Sequence, residues 1–153
     1  MTSATSRDVK EVAFVNRAAE KAFDALPPEV LERAETALSV LQNGGSLPRG
    51  EYEALRGRTL AGVTEIKLPW NTDEYRVYQV VEFDEVIFVL DAGMKKSPRG
   101  GQIPQEQVER LEARLAKARE AYLQNKNLFI RRFSERRTNR GEDTVTVTPI
   151  PGR

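Results

Sequence analysis

The hydrophobic positions of the chain repeat with two different periods, and the order of these periods predicts a mixed fold. Apolar residues in Val9–Val15 indicate a first strand. Spacings of three and four then predict a helix after Asn16 and a second helix that begins at Pro28 and ends before Gly44-Gly45. After a loop at residues 46–62 come three runs rich in β-branched and aromatic residues: Val63–Trp70, Glu74–Phe83 and Val86–Leu90.

The three runs are separated by short turns, so we expect them to pair as consecutive antiparallel strands. Pro104 begins a long helical pattern, and its apolar stripe continues through Phe129 and Phe133. Two N-terminal helices and a long C-terminal helix, gathered on one side of an antiparallel sheet, make an α+β domain. We place this domain at residues 9–124 and treat residues 125–153 as a basic C-terminal extension and tail.

Composition narrows the chemistry that the chain can perform. The length of 153 residues suits one domain. The absence of cysteine excludes disulfides and thiolate metal sites, and the absence of histidine removes the usual general acid or base. Any acid–base work therefore falls to Lys, Tyr, Asp or Glu. No apolar run can span a bilayer and Met1–Lys10 lacks a signal peptide pattern, so we expect a cytoplasmic protein without membrane contact.

Charge is balanced over the chain but not along it. There are 24 basic and 23 acidic residues, yet residues 125–140 hold six basic side chains against Glu135 alone. This segment could bind RNA through its backbone charge, dock an acidic partner, or form a solvated helical face. The TVTVT run at Thr144–Thr148 could be disordered or could add a strand to the sheet edge of another chain.

Several short segments, in their order and spacing, carry a resemblance to a known family. They are Leu60–Val63 followed by Glu65–Lys67, then Tyr75–Val77, then Val89-Leu90 followed by Lys95–Ser97. Over about Val12–Leu115 the chain resembles the RelE/HigB superfamily of toxins, and within it the phage-derived HigB-like branch. The resemblance implies a small RelE-like domain.

The resemblance also implies a function. Such a protein is the toxin of a type II toxin–antitoxin system: an endoribonuclease that cuts mRNA on the ribosome without a metal or other cofactor, and that a cognate antitoxin holds inactive. Strand alternation places Tyr78 on the same face as Arg76, and the basic segment adds further cations. The positions that match the family as catalytic residues are Lys67, Arg76, Lys95 and Lys96, and the candidate RNA contacts are Arg56, Arg58, Tyr78, Arg131 and Arg132.

These residue types suit cleavage by the RNA's own 2′-hydroxyl. Arg76 suits the phosphate because its guanidinium is permanently charged and bidentate. Lys67 would handle the proton of the 2′-hydroxyl, because neighbouring cations lower the pKa of a lysine. Lys95 or Lys96 would bind phosphate or assist the leaving group.

Two positions depart from the family pattern and keep a second hypothesis open. Relatives often carry a histidine and an aromatic residue where this chain has Asp91 and Gly93. An anionic Asp91 would repel phosphate, and Gly93 cannot stack on a base. The chain could therefore be a catalytically inactive RelE-fold binding or structural protein, such as a phage assembly component that contacts other subunits through its C-terminal extension in the virion.

The candidate residues also have ordinary structural interpretations. Lys67 could face solvent, Arg76 could pair across the sheet with Glu65 or Glu82, and Lys95-Lys96 could lie in a solvated turn. A third hypothesis, a nucleic-acid-binding regulator that uses the basic segment alone, lacks a helix-turn-helix pattern.

Overall fold

The computed structural model describes residues 9–95, 103–138 and 147–148. Within these ranges, no helix combines the length and the apolar character that a membrane crossing requires. In chain order, the elements are β1 (Glu11–Phe14), α1 (Arg17–Asp24), α2 (Pro28–Gln42), β2 (Tyr52–Ala54), a 3₁₀ turn (Arg58–Leu60), β3 (Val63–Trp70), β4 (Asp73–Val80), β5 (Val86–Met94), α3 (Gln105–Gln124), α4 (Lys126–Thr138) and β6 (Val147–Thr148).

The first two helices begin where local signals predict. The side chain of Asn16 accepts a hydrogen bond from the backbone N–H of Ala19 at 2.8 Å, which satisfies one of the free donors at the start of α1. Pro28 occupies the first turn of α2, where its missing N–H costs nothing. The helices and strands together confirm the α+β class.

The sheet is mixed rather than antiparallel, and this corrects one expectation. Its strand order is β2-β3-β4-β5-β1-β6. The predicted meander is present: β3 pairs with β4, and β4 with β5, both antiparallel. Asn71 has a positive φ of 56° in the tight turn between β3 and β4. However, β1 pairs with β5 in parallel. Two helices and three strands separate β1 from β5 along the chain. No local sequence pattern therefore reveals that these two strands pair.

Other elements differ from the sequence prediction in extent. The loop at residues 46–62 contains the short strand β2 and the 3₁₀ turn. Strand β5 continues to Met94, four residues beyond the predicted end, because β4 supplies backbone partners along that length. The long C-terminal helix is two helices, interrupted at Asn125, whose backbone leaves helical geometry at φ −121° and ψ 22°.

The helices cover both faces of the sheet, whereas we expected them on one side. Ala13 and Phe88 are register partners and share a face, on which Phe88 contacts Phe129 of α4 with ring centroids 5.8 Å apart. The next residue, Phe14, lies on the opposite face and packs against Phe23 of α1 at 5.3 Å. The sheet is thus the central layer, with the N-terminal helices on one side and the C-terminal helices on the other.

Helix α4 packs against the domain. Phe129, which we expected to need an external partner, is fully buried and also stacks on Tyr122 at 6.0 Å. The fully buried Glu11 pairs with Arg132 at 3.1 Å and with Arg136 at 3.3 Å. These contacts join the start of β1 to the basic segment. They are a reason to count residues 126–138 with the core, although a domain boundary after Gln124 remains a prediction.

The β-prone tail lies partly within the described residues. Val147 and Thr148 pair in parallel with Val12 and Ala13 of β1, and so extend the sheet of their own chain. Thr144, Val145 and Thr146 lie outside the described residues.

Candidate functional site

The strand register assembles the candidate residues on one face of the sheet, in two neighbouring rows. In the first row, Lys67, Arg76 and Gly93 are partners across β3, β4 and β5. The second row lies two residues along each strand, so its side chains point the same way. It consists of Glu53, Glu65, Tyr78 and Asp91 across four strands.

Arg76 is the centre of the first row and is buried, with only 4% of the residue exposed. Its Nε donates to Oε1 of Glu65 at 3.0 Å, and its Nη2 donates to Oε1 of Glu74 at 2.7 Å. Its Nη1 donates to the backbone oxygen of Tyr75 at 3.2 Å. The bond from Arg76 is the main reason that the pKa of Glu74 lies below its ordinary value. The pair with Glu65 is one that the sequence allowed, and Glu74 adds a second carboxylate.

Lys67 is ion-paired with a carboxylate, whereas from the sequence we considered only neighbouring cations. Its Nζ pairs with Oε1 of Glu53, which lies on the neighbouring strand β2. The hydrogen bond and the charge of Lys67 lower the pKa of Glu53. The side chain of Lys67 keeps 28% of its surface exposed. This carboxylate partner of Lys67 was not predicted.

Asp91 is ion-paired with two arginines, and their positive charge offsets the repulsion of phosphate that we expected. Its Oδ1 lies 3.3 Å from Nη1 of Arg114, and its Oδ2 lies 3.5 Å from Nη1 of Arg110. Gln107 donates to Oδ2 at 3.0 Å, and the backbone N–H of Ala92 donates to Oδ1 at 2.9 Å. Three side chains of α3 thus anchor this helix to the end of β5.

Gly93 leaves the face open beside Arg76. Its φ is 155°, and a Cβ built there would meet no atom of the described residues within 4 Å. Tyr78, in the second row, is buried, and this burial raises the pKa of its phenol, with Glu65 adding to the effect. Tyr78 lines the depression beside Gly93 and is held as a neutral hydrogen-bonding group.

The remaining candidates are spread over the molecule. Lys95 directly follows β5, and its backbone N–H donates to the backbone oxygen of Glu74 at 2.7 Å. Lys96 lies outside the described residues. Arg56 and Arg58 are exposed beside β2 and β3. Arg131 is exposed on α4, whereas Arg132 is bound to Glu11, so the two do not act as an equivalent pair. Their RNA contacts remain predictions.

Two depressions flank Ile103 at the start of α3. The larger, about 810 Å³, lies beside Glu53, Glu65 and Lys67. The smaller, about 120 Å³, lies beside Tyr78 and Gly93. Within the described residues, no three acidic side chains come close enough to hold a metal ion.

Sequence reasoning missed the two glutamates that complete this site. Glu65 was considered only as a neighbour that would neutralise Arg76, and Glu53 was assigned to a loop. The alternation of Glu65 and Lys67 in β3 was the available signal, because residues two apart share a face. Glu53 could not be found in this way, since its place depends on the pairing of β2 with β3.

Comparison with protein-family models gives a match over residues 21–116 to the family described as Phage derived protein Gp49-like (DUF891). Comparisons with curated proteins and with solved structures gave no match. The family match spans more than half of the chain and contains both rows of the site. Strand β1 and helix α4 lie outside the matched residues. The chain therefore belongs to the phage-derived Gp49-like protein family.

Proposed function

We propose that this protein is the toxin of a type II toxin–antitoxin system, of the HigB-like branch, and that it cleaves mRNA on the ribosome without a metal ion. The Gp49-like family is toxin-like and related to RelE/HigB, which supports the class. The observation that carries the proposal is the first row of the site. It sets a fixed arginine and a lysine side by side on a sheet face that Gly93 leaves open.

The chemistry requires three groups, and the site offers a candidate for each. The 2′-oxygen of RNA attacks the adjacent phosphorus, and the bond from phosphorus to the 5′-oxygen breaks. The products are a 2′,3′-cyclic phosphate and a 5′-hydroxyl. Arg76 stabilises the negative charge that grows on the phosphate oxygens, since its orientation is fixed before substrate binds.

We assign the proton of the 2′-hydroxyl to Glu65 in place of Lys67. A carboxylate accepts a proton directly, whereas the amino group of Lys67 is already ion-paired with Glu53. Glu65 bonds to Arg76 through Oε1 alone. Lys67 then contributes charge to phosphate binding, and Lys95 delivers a proton to the departing 5′-oxygen.

Induced expression tests this function. The wild type should arrest growth and leave new 5′ ends on ribosome-bound mRNA in a primer-extension readout. Arg76→Lys and Glu65→Gln should each lower the cleavage rate by about 10²–10³-fold, the range for loss of one preorganised catalytic group. Arg119→Ala is the matched control, because it removes an exposed arginine–glutamate pair with Glu82 away from the site.

A second function is favoured by one specific observation. Arg76 is almost fully buried and both of its ion-pair partners are carboxylates, which leaves little of its guanidinium accessible to a phosphate. A RelE-fold protein that binds RNA or other protein subunits without cleavage would keep this arrangement as a structural ion-pair cluster. Equal growth and intact mRNA for wild type and Glu65→Gln would select this second function.

A further inference from the structure

The larger depression has the size of a ligand pocket. Its volume of about 810 Å³ lies within the range of roughly 300–1,000 Å³ that small-molecule sites occupy. Apolar side chains from three segments form its walls: Leu55, Leu60, Ile103 and Val108. Such walls suit a flat ring, while the charged lining residues define which ring edge is accepted.

Two carboxylates present free acceptor atoms in this depression. Oε1 of Glu53 pairs with Lys67, and Oε1 of Glu65 accepts from Arg76. Within the described part of the chain, no protein group donates to Oε2 of either residue. An ionised carboxylate only accepts hydrogen bonds, so a ligand that reaches these oxygens has to bring N–H or O–H donors.

The same depression also contains donors. Arg56 and Lys67 line it, and Arg56 is exposed and has no ion pair among the described residues. Guanine has two adjacent donors, N1–H and the N2 amino group, and two acceptors, O6 and N7, which arginine or lysine recognises well. Uracil offers one N–H between two carbonyl oxygens, and these oxygens would face the carboxylates.

We propose that this depression binds a guanine base of single-stranded RNA, with Glu53 accepting from its amino edge and Arg56 donating to its O6 or N7. The inference rests on the proposed RNA-directed function and names a base preference for that site. The adjoining phosphate then lies on the first row, because Lys67 borders the depression and is the register partner of Arg76.

Binding of the four nucleoside 5′-monophosphates to the purified full chain tests the preference, followed by backbone amide shifts in NMR spectra. GMP should bind about tenfold more tightly than UMP, the size of one lost base-specific contact. The shifted amides should belong to residues 53–60, 65–67 and 103–108. Equal binding of GMP and UMP, or shifts that lie elsewhere, would overturn the proposal.

Two pairs of variants separate the site from general effects. Glu53→Gln should reduce the preference of GMP over UMP, whereas Glu82→Gln, which breaks an ion pair outside the depression, should retain it. Val108→Trp should fill the depression and abolish binding of all four nucleotides. Leu123→Trp should not, because that residue lies on the same helix and is 72% exposed. The proposal fails if the members of either pair behave alike while both remain folded.

Two RNA octamers identify the source of the base. An oligouridine with one central guanine should bind more tightly than the all-uridine octamer, and GMP should compete with it. If GMP binds but the two octamers behave alike, the site is for a free nucleotide and the proposal is wrong. None of these measurements requires cleavage, so selective binding without RNA cutting would refute the proposed activity and leave the guanine site intact.

Discussion

At the residue scale, the main feature is Arg76, which holds an ion-pair cluster together and, in the proposed reaction, binds the phosphate. Arg76 compensates two carboxylates on its own sheet face, and its three hydrogen bonds fix the guanidinium. Removal of one partner of a buried ion pair leaves the other charges uncompensated. A loss of activity on mutation of Arg76 therefore needs to be measured next to a loss of stability.

Arg76→Ala should lower the free energy of unfolding by about 3 kcal/mol, near the lower end of the range for a broken buried pair, because Glu74 is more than half exposed. Arg119→Ala should cost about 0–1 kcal/mol, since its pair with Glu82 lies at the surface. Urea unfolding at pH 7 provides both values. An equal loss of unfolding free energy in the two variants would show that Arg76 is not the centre of a buried ion-pair cluster.

A second residue-scale prediction concerns alkaline pH. Burial and the hydrogen bond to Glu85, in which the Tyr122 hydroxyl donates at 2.6 Å, raise the pKa of Tyr122 to about 12. Because the folded pKa exceeds the unfolded value, this contribution to stability is complete below pH ~10 and is lost as the pH rises through 12. An ultraviolet titration should show a late tyrosine ionisation that Tyr122→Phe removes. An unchanged curve in that variant would contradict the assignment.

At the element scale, helix α4 holds the C-terminal part of the chain on the sheet. Phe129 fills a space between Phe88 and Tyr122, and the arginines of α4 compensate Glu11. Removal of the helix would expose these apolar rings and would take two arginine partners away from the buried Glu11. We therefore expect a chain that ends at Gln124 to be less stable than the full chain.

Phe129→Ala should destabilise the protein by about 3–5 kcal/mol, the range for a large side chain removed from a core. Its neighbour Ile130 is 40% exposed, and Ile130→Ala should cost less than about 1 kcal/mol. Chemical denaturation of the two variants and of the chain truncated after Gln124 makes the comparison. A truncated chain with the wild-type unfolding midpoint would show that α4 is an appendage.

The limits of sequence reasoning are clearest among the strands. Strand β3 has the predicted bounds because its β-branched and apolar residues and its tight turn are local signals. The short strand β2 was missed because three residues carry no periodicity, and Glu53 was missed with it. The pairing of β1 with β5 and the burial of Arg76 depend on residues distant in sequence, so neither could be read from one segment.

At the scale of the whole molecule, the family match and the rest of the chain form one fold. The matched segment at residues 21–116 contains the two rows of the site, while β1, the end of α3 and α4 pack against it. Among the basic residues of α4 whose side chains the structure describes, Arg132 and Arg136 bind Glu11, whereas Lys126 and Arg131 are exposed. Any RNA-binding role of this helix is therefore secondary to its packing.

The cleavage of mRNA on purified, programmed ribosomes tests the central proposal most directly. Purified wild type, Arg76→Lys, Glu65→Gln and the control Arg119→Ala are added in EDTA-free buffer, and the new 5′ ends are measured against time. We expect wild type and Arg119→Ala to cut at similar rates, and the two site variants to cut about 10²–10³-fold more slowly while remaining folded. Intact mRNA with the wild type, or equal rates for all four proteins, would contradict the proposed activity.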